Sequence, residues 1–196
     1  MTRPRGRPAR GEGVTREEIL SAALALLDED GAGFGMRALA ARLGVTPMSL
    51  YHHVGDRAGL LLALSERVYA AVLDDPVPAH GAAPADGMAQ IRALLTRYHE
   101  AVGRHPQLTL AIFCEPAAFA GTARLITERL TLLLSALTPD YPLWRDILVD
   151  HAHGSGLALC AARGDRMQFE AMRGQYRLAL DSMLARIAPG GNGSAS

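Results

Sequence analysis

Histidine, cysteine and arginine are the residues of this sequence whose spacing first suggests chemistry. Two histidines adjoin at His52-His53 and two alternate at His151-Ala152-His153. Neither spacing makes a metal site, because on a helix only residues three or four apart face one another. Cys114 and Cys160 are the two cysteines. They are far apart and lack the close spacing of zinc or redox sites, so they read as reduced core thiols. Glu115, beside Cys114, and His99 could serve acid–base chemistry, but no nucleophile motif such as G-x-S-x-G accompanies them. No enzyme activity, cofactor or metal is expected. The arginines point elsewhere: Arg3, Arg5, Arg7 and Arg10 cluster among Pro4, Gly6, Pro8 and Gly11 with no acid between them. Such a segment resists helix formation and attracts phosphate.

These residues belong to a chain of 196 residues, with 20 acidic and 20 basic side chains and no lysine. The exclusive use of arginine reads as coding bias for the bulk of the chain. A hydrophobic share of 49% excludes a disordered protein. Zero net charge excludes a uniformly basic nucleic-acid binder but leaves room for a locally basic one. No apolar run reaches membrane-spanning length, so no membrane partner is expected. Gly11-Glu12-Gly13 follows the arginines where a secretory signal would need an apolar stretch. The expected location is the cytoplasm.

The elements that must position these groups are helical. Thr15-Arg16-Glu17-Glu18 forms a capping box, and Ile19, Ala23, Leu26 and Leu27 recur behind it at helical spacing up to Gly31. A short helix over Met36–Leu43 ends at Gly44. Thr46 caps another, with Pro47 at its first position, running to about His53. Asp56 caps a longer helix striped by Leu60, Leu61, Leu64 and Val68. The prolines of Asp74–Asp86 mark a link. Further helices are predicted over Gly87–Gly103, Gln107–Cys114, Thr122–Leu137, Leu143–Arg163 and Arg166–Ile187. No strand pattern or repeat is visible, and the fold class is all-α.

Arg37–Val54 has the spacing of a helix-turn-helix, in which one face of the second helix packs inward and the other enters the major groove. Leu50 suits the inner face. Pro47, Met48, Ser49, Tyr51 and His53 are left for the outer one. The surrounding residues are Ile19–Leu27, Gly31, Met36–Val45, Ser49–Val54 and Asp56–Leu61. Together they strongly resemble the TetR family, the tetracycline-repressor-like bacterial regulators. The resemblance covers roughly residues 15 to 61. It implies an N-terminal DNA-binding domain, a C-terminal helical domain with a ligand pocket, and a homodimer. Arg37 matches a base-contacting arginine. Pro47, Met48, Ser49, Tyr51 and His53 match recognition-helix positions that touch bases and phosphates, and Arg57 matches a backbone-holding basic residue. His52 and Met48 depart from common family choices, which leaves the operator sequence open.

Arg3-Pro4-Arg5-Gly6-Arg7-Pro8 resembles the AT-hook, in which Arg5 and Arg7 would enter a narrow minor groove. The alternative is a cationic tail that touches any phosphate. In the C-terminal half, Tyr98, His99, Phe113, Glu115, Phe119, Trp144, His151 and Ser155 are candidate ligand contacts, being polar or aromatic groups in apolar helices. Phe169, Met172, Tyr176, Leu180, Met183 and Ile187 trace one apolar stripe that, with Leu143–Arg163, is expected to make the dimer contact. Gly154 and Gly156 would allow close helix approach there. The expected domains are a basic arm (1–14), a helix-turn-helix domain (15–61), an effector-binding and dimerisation domain (62–188) and a tail (189–196). The expected function is a repressor released from a palindromic double-stranded DNA operator by a small, largely apolar effector. The alternatives are an activator and an architectural DNA-binding protein without effector.

Overall fold

The structure, a computed structural model, describes residues 13–31, 34–74, 84–162 and 164–187. Arg5 and Arg7, most of the proline-rich link and the C-terminal tail lie outside the described residues. Within these there are nine α-helices and no strand, as the periodicity predicts. The chain divides into two compact units, Met1–Leu60 and Leu61–Ser196.

The first unit holds α1 (Arg16–Asp30), α2 (Met36–Leu43) and α3 (Pro47–Val54), and the unit boundary falls within α4 (Arg57–Tyr69). Helix α1 starts at the capping box read from the sequence. The Thr15 hydroxyl accepts from the Glu18 N–H at 3.2 Å, and the Glu18 carboxylate accepts from the Thr15 N–H at 2.8 Å. Both bonds satisfy donors that a helix start leaves open, and they hold the Glu18 carboxyl below its usual range. Ile19, Leu27, Leu39, Leu50 and Leu60 close the core between the helices.

The second unit contains α5 (Pro84–Arg104), α6 (Pro106–Phe113), α7 (Gly121–Ser135), α8 (Tyr141–Ala158) and α9 (Arg166–Ile187). Helix α5 packs on α7, α8 and α9. Its crossing with α8 is close because both helices lack side chains there. A Cβ on Gly156 would lie 2.8 Å from Val102, and one on Gly103 would lie 2.5 Å from Leu159. Gly156 thus serves a contact within one chain, while Gly154 faces open space. Helix α8 ends at Ala158 and tightens into a 3-10 turn, Leu159–Ala162, short of the predicted end.

Two expectations are corrected. Cys114 and Cys160 are free but exposed, because one ends α6 and the other sits in the 3-10 turn. Half of the Phe169-to-Ile187 stripe faces its own chain: Tyr176, Leu180 and Ile187 are buried, while Phe169, Met172 and Met183 are half-buried. The Tyr176 hydroxyl donates to the Leu95 carbonyl of α5 at 3.0 Å, and its ring stacks on His99 at 3.7 Å. Beside this seam Arg173 pairs with Glu100 and Arg92 with Asp181. The large apolar residues that α9 leaves outside are Met167 and Leu178, at 83% and 70% exposure.

Candidate nucleic-acid interface and cavity

The turn between α2 and α3 is built by three residues. Gly44 takes the left-handed conformation at φ 67°, which favours glycine, and its N–H meets the last carbonyls of α2. Val45 donates from its backbone to Ala40 at 3.0 Å. Thr46 then starts α3 by accepting from the Ser49 N–H at 3.3 Å, with Pro47 in the first turn. In α3, Leu50 and Val54 turn inward and clamp the helix to α1 and α2. Pro47, Met48, Tyr51, His52 and His53 are exposed and Ser49 half-buried. Met48 is 63% and Tyr51 42% exposed, so the tyrosine ring is not part of the domain core.

Arg37 is exposed on α2. Arg57, at the start of α4, lies 5.9 Å from the centre of the Phe34 ring, a cation–π contact. Two features that position this surface escaped the sequence reading. Arg42 grips both carboxylate oxygens of Glu29, at 2.5 and 2.9 Å, tying α2 to α1 and holding the Glu29 carboxyl below its usual range. Gly59 admits no side chain, since a Cβ would stand 2.4 Å from the Val54 carbonyl oxygen. The Asp56 carboxylate accepts from the Gly59 N–H at 2.8 Å in the same turn.

In the second unit a cavity of about 630 Å³ opens among α4, α5, α6, α7 and α8. Tyr98, Phe113 and Phe119 of the candidate contacts line it, whereas His99, Glu115, Trp144, His151 and Ser155 do not. His99 is buried in the α5–α8–α9 seam, 3.1 Å from the Ser155 hydroxyl, and burial pushes its pKa down to about 4. His151 stacks on the other side of this seam, 5.1 Å from Tyr176. His153 points instead into the cavity, its ring edge-on to Phe113 at 4.8 Å and its Nε2 2.6 Å from the Tyr98 hydroxyl. Burial lowers the His153 pKa against the opposing pull of Asp150, which favours the neutral ring. The Tyr69 hydroxyl meets Thr109 at 2.8 Å, and burial raises its pKa to about 12.

The wall residues missed in the sequence include Asp146, Val149, Asp150 and His153 of α8. Their spacing of three and four places them on one helical face. That signal becomes useful only once the partners of α8 are known.

The first unit is therefore a helix-turn-helix domain, and the second a helical body that encloses a cavity. Residues 19–64 match the family model of bacterial regulatory proteins, tetR family, which this domain therefore resembles. It is 41% identical over 69 residues to the class D tetracycline repressor protein of Escherichia coli. That match covers 35% of this chain and 32% of that protein, so the similarity spans about a third of the curated relative. The whole fold is similar to that of Mycobacterium smegmatis BioQ, with TM-score 0.67 and 22% identity over 89% of this chain and 98% of that one. It is also similar to apo ActR of Streptomyces coelicolor, with TM-score 0.66 and 21% identity over 92% and 98% of the two chains. BioQ has also been solved with its double-stranded DNA operator, and ActR in complex with (S)-DNPA. No helix among the described residues is long and apolar enough to cross a membrane.

Proposed function

We propose that this protein is a ligand-responsive transcription regulator. It binds a pseudo-palindromic operator as a homodimer, most simply as a repressor released by a small, largely apolar effector. The observation that carries this reading is the division of labour within α3. Leu50 and Val54 are consumed by the core, and Met48, Tyr51 and His53 are left free for a groove. Arg37 reads guanine, while Ser49, Tyr51, Arg57 and the positive N-terminal end of α3 hold phosphate. Pro47 sets the approach of that helix end, and Met48 offers apolar contact to a thymine methyl. Arg5 and Arg7 extend the contact either into the minor groove or along phosphates.

Dimerisation uses the side of α8 and α9 that the chain does not cover itself. Met167, Ala171, Leu178, Ser182 and Ala185 of α9 are exposed at spacings of three, four and seven, as are Leu143, Ile147 and Gly154 of α8. Burying these against a second copy would remove an apolar face that soluble monomers seldom display. The cavity is the effector site. An effector that favours the dimer geometry unable to bind DNA releases the operator, and equal affinity for both geometries would shift nothing. The known operator complex of BioQ and ligand complex of ActR, on similar folds, support this reading.

Selection of binding sites from a random DNA pool by the purified chain tests the proposal. A pseudo-palindromic site protected by a dimer is the expected result. Enrichment of A·T-rich DNA without a palindrome would favour the architectural alternative, and no enrichment would remove both.

A further inference from the structure

We infer that the cavity of the second unit takes a ligand carrying a positive charge on an aromatic or apolar body, with Asp150 as its counter-ion. This inference rests on the reading of that cavity as a ligand site. The wall is aromatic: Tyr69, Tyr98, Phe113, Phe119 and His153 all contribute. Phe113 and Phe119 keep 51% and 48% exposure, so ring faces remain open for a ligand to cover. The negative faces of such rings attract cations as well as flat apolar groups.

The polar atoms of the wall are largely spoken for. The Tyr69 hydroxyl is bonded to Thr109, the Tyr98 hydroxyl to His153, and the Thr127 hydroxyl to the Ala123 carbonyl at 3.3 Å. Arg145 and Asp146 neutralise each other at 2.8 Å. Asp150 is different. It lines the cavity one helical turn from both Asp146 and His153, and it forms no ion pair among the described residues. His153 shares its Nε2 with the Tyr98 hydroxyl at 2.6 Å, and burial favours its neutral form, so it adds little compensating charge. The lining therefore carries one uncompensated negative charge beside open aromatic faces. An anionic ligand would meet that charge with the one arginine of the lining, Arg145, already engaged by Asp146. A neutral ligand would cover the rings without pairing Asp150. A cation satisfies both demands, and exclusion of water on its entry strengthens the pairing.

The test uses the full chain and two probes of nearly the same shape and opposite charge, tetraphenylphosphonium and tetraphenylborate, followed by titration calorimetry. The phosphonium should bind and the borate should not. Asp150→Asn should weaken phosphonium binding about tenfold or more, equivalent to about 1.4 kcal/mol. Asp150→Lys should abolish it and admit the borate. Asp150 is exposed, so both variants should keep the melting temperature of the parent, which a thermal scan checks. Equal or tighter borate binding by the parent chain, failure to bind the phosphonium, or an unchanged affinity in Asp150→Asn would overturn the inference. Site selection on DNA is run in parallel. DNA binding without phosphonium binding removes the ligand class and leaves the regulator. Phosphonium binding by a chain that selects no DNA keeps the ligand class and removes the regulator.

Discussion

The two units of this protein place their functional groups in opposite ways. In the first, the core is almost wholly aliphatic, and the groups able to hydrogen-bond a partner stand outside it: Arg37, Tyr51 and His53 are exposed. The shifted ionisable groups there, Glu18 and Glu29, are surface carboxylates lowered by the hydrogen bonds they accept. In the second unit polar side chains are drawn inward. Tyr69, Tyr98 and Tyr176 have their pKa raised, and His99 and His153 lowered, in each case chiefly by burial. A reader of DNA needs donors presented on a rigid convex helix, because the partner brings the groove. A binder of small molecules must supply the concavity itself, and its polar groups then share the desolvated interior.

This contrast can be broken at its most rigid point. Leu50→Ala removes the fully buried anchor of α3 and should cost about 2–5 kcal/mol, enough to unfold so small a unit. Operator binding should vanish while phosphonium binding by the second unit persists. Loss of both together would show that the units do not fold separately, as a two-probe denaturation experiment would reveal.

A smaller effect is expected from acid in the second unit. His99 has its pKa lowered from 6.5 to about 4, so between those values the unfolded chain binds the proton that the folded chain refuses. Its contribution is therefore fully present above pH 6.5 and is lost as the pH falls toward 4. At about 1.4 kcal/mol per pKa unit, the loss amounts to a few kcal/mol. Denaturation between pH 7 and 4.5 measures it, and His99→Phe should flatten the curve. An equally steep curve in that variant would assign the acid sensitivity to other groups.

For the first unit the matching test is Arg37→Ala. It should weaken operator binding by about 1–3 kcal/mol and relax specificity at one base pair, with little change in stability. An unchanged base preference would confine Arg37 to phosphate. The least effect should come from Thr46→Ala, which removes the cap of α3 at a cost of about 1 kcal/mol in thermal stability. Were the melting temperature unmoved, the 3.3 Å bond to Ser49 would contribute nothing.

The first unit was legible because its signals are local. The Thr15–Glu18 box, the Gly44 turn and the Thr46-Pro47 start each act over three or four residues, and these spacings are visible in one dimension. The second unit was legible as helices but not as a site. Tyr98, Phe113 and Phe119 meet in the cavity, yet His99, His151 and Ser155, equally plausible by type, are spent in the seam beneath α9. No local signal marks Asp150 or His153 of α8 as cavity residues; the helices packed around them do.

The α9 stripe makes the same point. An apolar face at helical spacing says that something must cover it, and Tyr176, Leu180 and Ile187 obey that requirement. Whether the cover is the same chain or a second copy is a question of helix arrangement, and here α5 covers it through Leu95 and His99. The sequence by itself determined the all-α class, the helix-turn-helix and the residues of its outer face, since caps, turns and periodicity are short-range interactions. The tertiary structure alone decided which aromatics share a cavity, which histidine is buried and where one carboxylate is left without a partner. Those outcomes depend on contacts between helices distant in the chain, and on how closely Gly103 and Gly156 let α5 approach α8.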